Sequence, residues 1–340
     1  MTNSDPSRSR NESALIRISQ LAFETPTDAL CDPITKNDLF FVRQHANVPI
    51  IEPDDYRLEI GSSARLSLSE LQDLPRTSAV ITLQCAGNAR AAFEPSTEGI
   101  PWGFGAISTA VWDGVRLKDV LAATGIRLGP FQHVIFSGAD DQPSADITSY
   151  RRSLPANRVL CDSTIIADMM NGVPLPSRHG GPVRLIVGGY TANHSVKWLR
   201  SIEVQDAPDD GHWMKNAYVI RDQFGTLNSI ESPPPIAILT SVQSRASSNP
   251  YHILRGIAYG SPPPVAVEIE INRKSFRVLV DYRLGRLAWG VWTLKQELDQ
   301  GTNTISIRPI DGQDRIGPRV ATWNHGGYSY DGPHVLEIQI

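Results

Sequence analysis

Cysteine is scarce in this 340-residue chain, and what little there is excludes several classes of protein. Cys31, Cys85 and Cys161 are too few and too scattered for a disulfide framework, and no CxxC pair exists. That removes zinc ribbons, dithiol redox motifs and covalent c-type haem, and it fits a reducing compartment. Basic excess is also lacking. The formal net charge is -4, which argues against a nucleic-acid partner. The opening MTNSDPSRSRNESALIRISQ has no apolar core like that of a secretory signal, Arg8 and Arg10 do not form a twin-arginine pair, and no later run is apolar enough to span a membrane. Taken as a complete chain, the sequence leads us to expect a cytoplasmic protein with no membrane partner.

What is present is the composition of an ordinary globular protein, 41% hydrophobic and 20% charged, long enough for two cores. Residues 1–20 read as a disordered arm. Leu39–Ile60 reads as extended, with Pro49 and Pro53 opposing helix. Ser78–Gln84 is a β-branched apolar run, and Cys85-Ala-Gly-Asn88 follows where that strand must turn. Val115–Thr124 has helical spacing and stops at Gly125. Strands are expected at His133–Phe136, Thr164–Met170, Val183–Val187 and Val196–Val204. At Glu231-Ser-Pro-Pro-Pro235 the pattern changes to short alternating strands: Val265, Val267, Ile269 and Ile271 share one face, as do Phe276, Val278 and Val280. The expected fold class is α+β: a mixed α+β domain over 21–232, then an all-β sandwich over 233–340.

A lone cysteine beside an apolar strand is ordinarily a packed core residue. The setting of Cys85 differs, because the small residues after it let something bulky approach the backbone. A soft thiolate suits a redox metal, and with no second cysteine nearby the metal must bring most of its own ligands. That points to a metal carried by an organic cofactor. Arg43, His45, Arg90, Arg151, Arg152, His179, Arg184 and Lys197 supply cations beside glycine- and proline-rich turns. Paired guanidinium donors suit oxyanions and phosphates.

In order along the chain, several segments resemble the sulfite oxidase family of molybdopterin enzymes. FFVRQHANVP is similar to the family's F-V-R-N-H-x-x-V-P, and QCAGNAR to Q-C-A-G-N-x-R. Trp102-Gly-Phe-Gly-Ala-Ile-Ser-Thr109 resembles W-x-x-G-A-I-S/G-T, and Tyr150-Arg-Arg-Ser-Leu-Pro155 resembles Y-x-x-S-I-P. Asn171-Gly-Val-Pro-Leu-Pro176 through Trp198 is similar to N-G-x-P-L-P, H-G-x-P-V-R and S-V-K-W. Ile257-Ala-Tyr-Gly260, Trp323-Asn324 and Gly327-Tyr328 resemble its immunoglobulin-like dimerisation domain.

The resemblance implies molybdenum held by one molybdopterin and by Cys85. It implies cofactor contacts from Arg43, His45, Asp140, His179, Arg184 and Lys197, and a substrate pocket framed by Arg43, Arg90 and Tyr150. The implied reaction is oxygen-atom transfer at a molybdenum-oxo centre, oxidising sulfite or a related small oxyanion, with electrons passing to an external acceptor such as a cytochrome. A homodimer is implied as well. The same centre could run the other way, as a nitrate or S-/N-oxide reductase, and a metal-free dimerising scaffold is the reading from another class. The chain departs from the family pattern at Gln44, Ala89, Gly181 and Asn193-His194. In addition, His325-Gly326 occupies the stretch where animal enzymes place a further substrate-site arginine. These departures imply a less cationic pocket.

Overall fold

The computed structural model describes residues 14–340 apart from 63, 142–143, 145–146, 148, 223 and 246–250. Two five-stranded sheets form the body of the first domain. In one, Arg76–Gln84 pairs antiparallel with Ile107–Arg116, which pairs with Thr164–Met170. In the other, Leu199–Gln205 lies parallel to Arg57–Ile60 and antiparallel to His133–Gly138, which pairs with Arg151–Pro155. Leu117–Ala123 is a short helix that buries Leu117, Val120 and Leu121 between the sheets. Gly125 follows it at φ 76°, the left-handed stop its position predicts.

The sandwich is borne out. One four-stranded sheet contains Ile236–Arg245, Tyr251–Tyr259 and Gly290–Gln296; the other contains Lys274–Leu279, Ala266–Ile271, Thr302–Ile310 and His334–Gln339. Val267, Ile269 and Ile271 face the core with Ile305 and Ile307. Val265 does not, and is exposed just before its strand begins.

The amino-terminal expectation changes at one point. Residues 1–13 lie outside the described part, but Ile16–Ser19 forms a strand paired with Ala22–Glu24. Ile18 packs against the core around Cys85, and that apolar contact orders the segment.

The two domains are bonded to each other as well as packed. Thr82, in the strand leading to Cys85, accepts through its carbonyl from Tyr259 Oη at 2.9 Å and through Oγ1 from Trp289 N–H at 2.9 Å. Its own N–H donates to Leu287 O at 2.9 Å. The strand that carries the cysteine is therefore anchored from the sandwich side.

Candidate active site

Most of the candidate residues stand at strand ends. Cys85 ends Arg76–Gln84, Asp140 lies two residues past His133–Gly138, and Tyr150 precedes Arg151–Pro155. Arg184 opens its strand, and Lys197 precedes Leu199–Gln205. Two cavities meet there. A cleft of about 680 Å³ is lined by Asp140, Tyr150, Arg184, Asn193 and Lys197, among others. A funnel of about 800 Å³ is lined by Arg90, Glu98, Trp102, His325 and Tyr328. Cys85, Arg43, His45 and Tyr218 line both. Cys85 therefore stands where the two spaces meet.

The cleft is built to receive a large polar group. Gln44 Nε2, Asp140 Oδ1, Arg184 Nε and both amide atoms of Asn193 are buried without a hydrogen-bond partner, and all five belong to residues of this cleft. Leaving such atoms unpaired costs about 1–3 kcal/mol each, so a ligand presenting complementary donors and acceptors is favoured there. The other two guanidinium nitrogens of Arg184 donate to His179 O at 2.7 Å and Ser195 O at 3.0 Å, which fixes the direction of Nε. Burial lowers the Arg184 pKa to about 9. Burial drives Lys197 down as well, helped by Arg184, Arg178 and Arg43; an anion bound there would oppose that shift. Burial raises Asp140. His179 is buried, donates Nε2–H to Asn37 O at 2.7 Å, and holds Arg184 through its carbonyl rather than lining the cleft.

On the funnel side, Arg90 is held by backbone. Its Nε donates to Gly326 O and Gly327 O at 3.2 and 3.1 Å, and Nη1 donates to Ile100 O at 3.0 Å. Three glycines make room for it: a Cβ on Gly87 or Gly99 would come within 3.0 Å of the guanidinium, and one on Gly327 would lie 2.8 Å from Arg90 Cγ. The loop bearing Gly326 and Gly327 belongs to the second domain, so both domains complete the pocket. Burial raises the Cys85 thiol pKa, while the Gly87 N–H and the Arg90 and Arg43 charges oppose that rise.

At the junction, Arg43 Nη2 lies 2.9 Å from His45 Nδ1, and His45 Nε2 lies 2.7 Å from Tyr218 Oη. Burial, then the charges of Arg43, Lys197 and His212, push the His45 pKa down to about 2, so the ring is neutral. Since Arg43 can only donate, Nδ1 accepts and Nε2–H donates to Tyr218. Tyr150 stacks on His45 with centroids 5.3 Å apart and donates its hydroxyl to Asn193 O at 2.6 Å. It lines the cleft, whereas the phenols facing the funnel are Tyr218 and Tyr328. Sequence reading missed both as site residues. Tyr218 lies in no quoted motif, and Tyr328 was read as part of the second domain alone.

Arg151 and Arg152, two of the cations noted in the sequence, line neither cavity. Arg151 pairs with Asp209 at 3.0 Å, and Arg152 is fully buried, donating to Trp213 O beneath Tyr218. Among the described residues, no three His, Cys, Asp or Glu side chains converge to hold a metal ion. A metal at Cys85 would therefore bring its remaining ligands with it.

Residues 45–213 match the family model described as Oxidoreductase molybdopterin binding domain. The chain is 33% identical to chicken (Gallus gallus) sulfite oxidase over 336 residues, 89% of this chain and 73% of that one. The chain belongs to the sulfite oxidase family. It is 32% identical to the mitochondrial sulfite oxidase of Rattus norvegicus, across 93% of its own length, and spans 64% of that protein. The fold is shared with the sulfane dehydrogenase SoxCD of Paracoccus pantotrophus, at a TM-score of 0.80 and 22% identity, covering 94% of this chain and 85% of that one.

The family's cofactor is molybdenum on molybdopterin, and the residues present fit it. Cys85 offers one thiolate. Gln44, Asp140, Asn193 and Arg184 offer unpaired donors and acceptors, and Lys197 offers a half-buried amine as a further donor.

Proposed function

We propose that this protein is a molybdenum-dependent oxidoreductase that oxidises sulfite or a related small sulfur oxyanion, passing electrons singly to an external acceptor such as a cytochrome. The observation that carries this reading is the position of Cys85 on the wall common to a cleft with unpaired polar atoms and a funnel with two arginines. When bound, the cofactor would supply oxygen-atom transfer and a two-electron store. Cys85 would ligate the metal; Gln44, Asp140, Asn193, Arg184 and Lys197 would hold the pterin and its phosphate, with His179 fixing Arg184 from behind. Arg43 and Arg90 would orient the anion. Tyr218 would hold a proton at the junction through its bond with His45.

The test is molybdenum content and sulfite-dependent bleaching of the visible absorption, in wild type and Cys85→Ser, after expression in a host that makes the cofactor. About one molybdenum per chain, with the sulfur-to-metal band lost in the variant, supports the reading. Well-folded wild type without molybdenum would leave the dimerising scaffold. The 29% identity to the bean (Phaseolus vulgaris) NADH nitrate reductase keeps nitrate as the second substrate to assay.

We also propose that the chain pairs with a second copy through the sandwich, a reading supported by the exposed Val265, Leu279 and Val335 there; a monomer in light scattering would refute it. The free state of all three cysteines supports a reducing compartment, the cytoplasm in our reading, which cell fractionation would test. Among the described residues, no helix is long and apolar enough to cross a membrane.

A further inference from the structure

The funnel differs from a site for a bare oxyanion in charge, size and wall chemistry. Among the described residues that line it, Arg43 and Arg90 are the two guanidiniums, and both are partly committed: one to His45 Nδ1, the other to three backbone carbonyls. At the mouth Glu98 faces the same space, its carboxylate 4.0 Å from His325 Nε2. Glu98 is almost fully exposed and screened by solvent, so it does not cancel a guanidinium, but it stands where an anion enters and opposes a dianion more than a monoanion.

Size points the same way. The funnel opens to solvent at Glu98 and His325 and runs along Ile100, Trp102 and Tyr328 beyond the two arginines, further than an anion of four heavy atoms needs.

The wall is aromatic where it need not be. A Cβ on Gly326 would lie 2.8 Å from Tyr328 Cδ2 and Cε2, so the ring fills the room that any side chain at 326 would need. The ring is fixed in place. Tyr328 N–H donates to Asn324 Oδ1 at 3.0 Å, Asn324 Nδ2 donates to Tyr328 O at 2.7 Å, and the Arg90 guanidinium carbon sits 4.8 Å from the ring centroid. Trp102 and Ile100 continue the apolar lining. A preformed apolar wall opposite a pair of orienting cations is the layout that binds an organic group attached to an anionic head.

We propose that the substrate is an organic sulfinate, R–SO2⁻, whose substituent R lies along Tyr328 while Arg43 and Arg90 hold the sulfinate oxygens; this rests on the oxygen-transfer reading above. A sulfinate keeps the sulfur lone pair that the reaction needs and carries one charge instead of two. The balance is R–SO2⁻ + H2O → R–SO3⁻ + 2 H⁺ + 2 e⁻. One S–O bond forms, water supplies the oxygen overall, sulfur is oxidised by two electrons, and a one-electron acceptor of the cytochrome type takes them in two steps. No carbon–sulfur bond breaks.

The experiment compares benzenesulfinate with sulfite on the molybdenum-loaded enzyme, using ferricyanide as the electron acceptor. Wild type and Tyr328→Ala are assayed, and the product is identified by mass spectrometry in ¹⁸O water. The expected result is a higher kcat/KM for benzenesulfinate than for sulfite, with one labelled oxygen in benzenesulfonate. In Tyr328→Ala the benzenesulfinate-to-sulfite ratio should fall about 10-fold, chiefly through KM for benzenesulfinate, in line with losing an apolar contact. Titration with benzenesulfonate, followed by tryptophan fluorescence, reads the same site without turnover and should weaken to a similar degree. Sulfite oxidation with the lower kcat/KM on benzenesulfinate would overturn the sulfinate proposal and leave the oxygen-transfer reading standing. A loaded, folded enzyme that oxidises neither compound would overturn both.

Discussion

His45 sits between Arg43 and Tyr218, with Nδ1 2.9 Å from one and Nε2 2.7 Å from the other, so its tautomer is fixed by its neighbours. With Nε2–H given to the phenol oxygen, the Tyr218 proton is left to point elsewhere, and Tyr218 lines both cavities beside Cys85. Replacing the hydroxyl removes this donor while keeping the ring that packs against Tyr328 at 5.7 Å. Tyr218→Phe should therefore keep its molybdenum and lose kcat on sulfite by about 10- to 100-fold, with KM changed far less. Steady-state kinetics with a metal assay checks this. Loss of metal in step with activity would make the residue structural.

Gln44 provides a test that separates cofactor binding from folding. Its side-chain nitrogen is buried and has no protein partner, so within the protein alone it is a burden. Gln44→Leu should leave the melting temperature of cofactor-free protein unchanged or higher. Retention of molybdenum through gel filtration should fall about 10-fold, the lower end expected for losing a supporting contact around a metal site. A lower melting temperature with full retention would refute this role.

Gly327 is the point where the second domain grips Arg90. It sits at φ 56°, and a Cβ there would lie 2.1 Å from Thr97 Oγ1 as well as 2.8 Å from Arg90 Cγ. Gly327→Ala should destabilise the protein by about 1–3 kcal/mol through strain at a left-handed position. Displacing Arg90 should also raise KM for the anion more than it lowers kcat. Thermal unfolding and kinetics together check this, and an unshifted KM would show that Arg90 does not orient substrate.

How much of this was legible in the sequence depends on the distance over which each residue acts. The strand end before Cys85 could be read because a β-branched run meets a small-residue turn there, a local pattern. The sandwich could be read because alternation reports a half-buried strand directly. Arg151 and Arg152 could not be oriented, because successive residues of a strand point to opposite faces and register is set by pairing with His133–Gly138. Tyr218 and Tyr328 were invisible for a different reason. Tyr218 reaches His45 across 173 positions, and Tyr328 enters the funnel on a loop from the other domain, held by Arg90 at a separation of more than 230 positions. No window of local sequence contains both partners of either contact.

Acid should unfold this protein through its buried histidines. Burial and the nearby Arg152 charge hold His194 at about 3 against an ordinary value of 6.5, while its Nε2–H donates to Ile230 O at 2.9 Å. Burial holds His334 at about 4, and its Nδ1 accepts from Leu239 N–H at 3.0 Å, joining two strands of the sandwich. Each ring is neutral in the folded chain and readily protonated once unfolded, so falling pH favours the unfolded state. Their stabilising effect is complete above about pH 6.5 and is lost progressively down to about pH 4 for His334 and about pH 3 for His194. In that window each contributes a slope of up to roughly 1.4 kcal/mol per pH unit. His334→Asn removes one titrating group, so it should lower stability at pH 7, where its hydrogen bond and packing are lost, yet flatten the decline between pH 6 and pH 4. Urea unfolding of wild type and variant across that range measures both quantities, and parallel pH profiles would show that His334 is not among the groups that acid attacks.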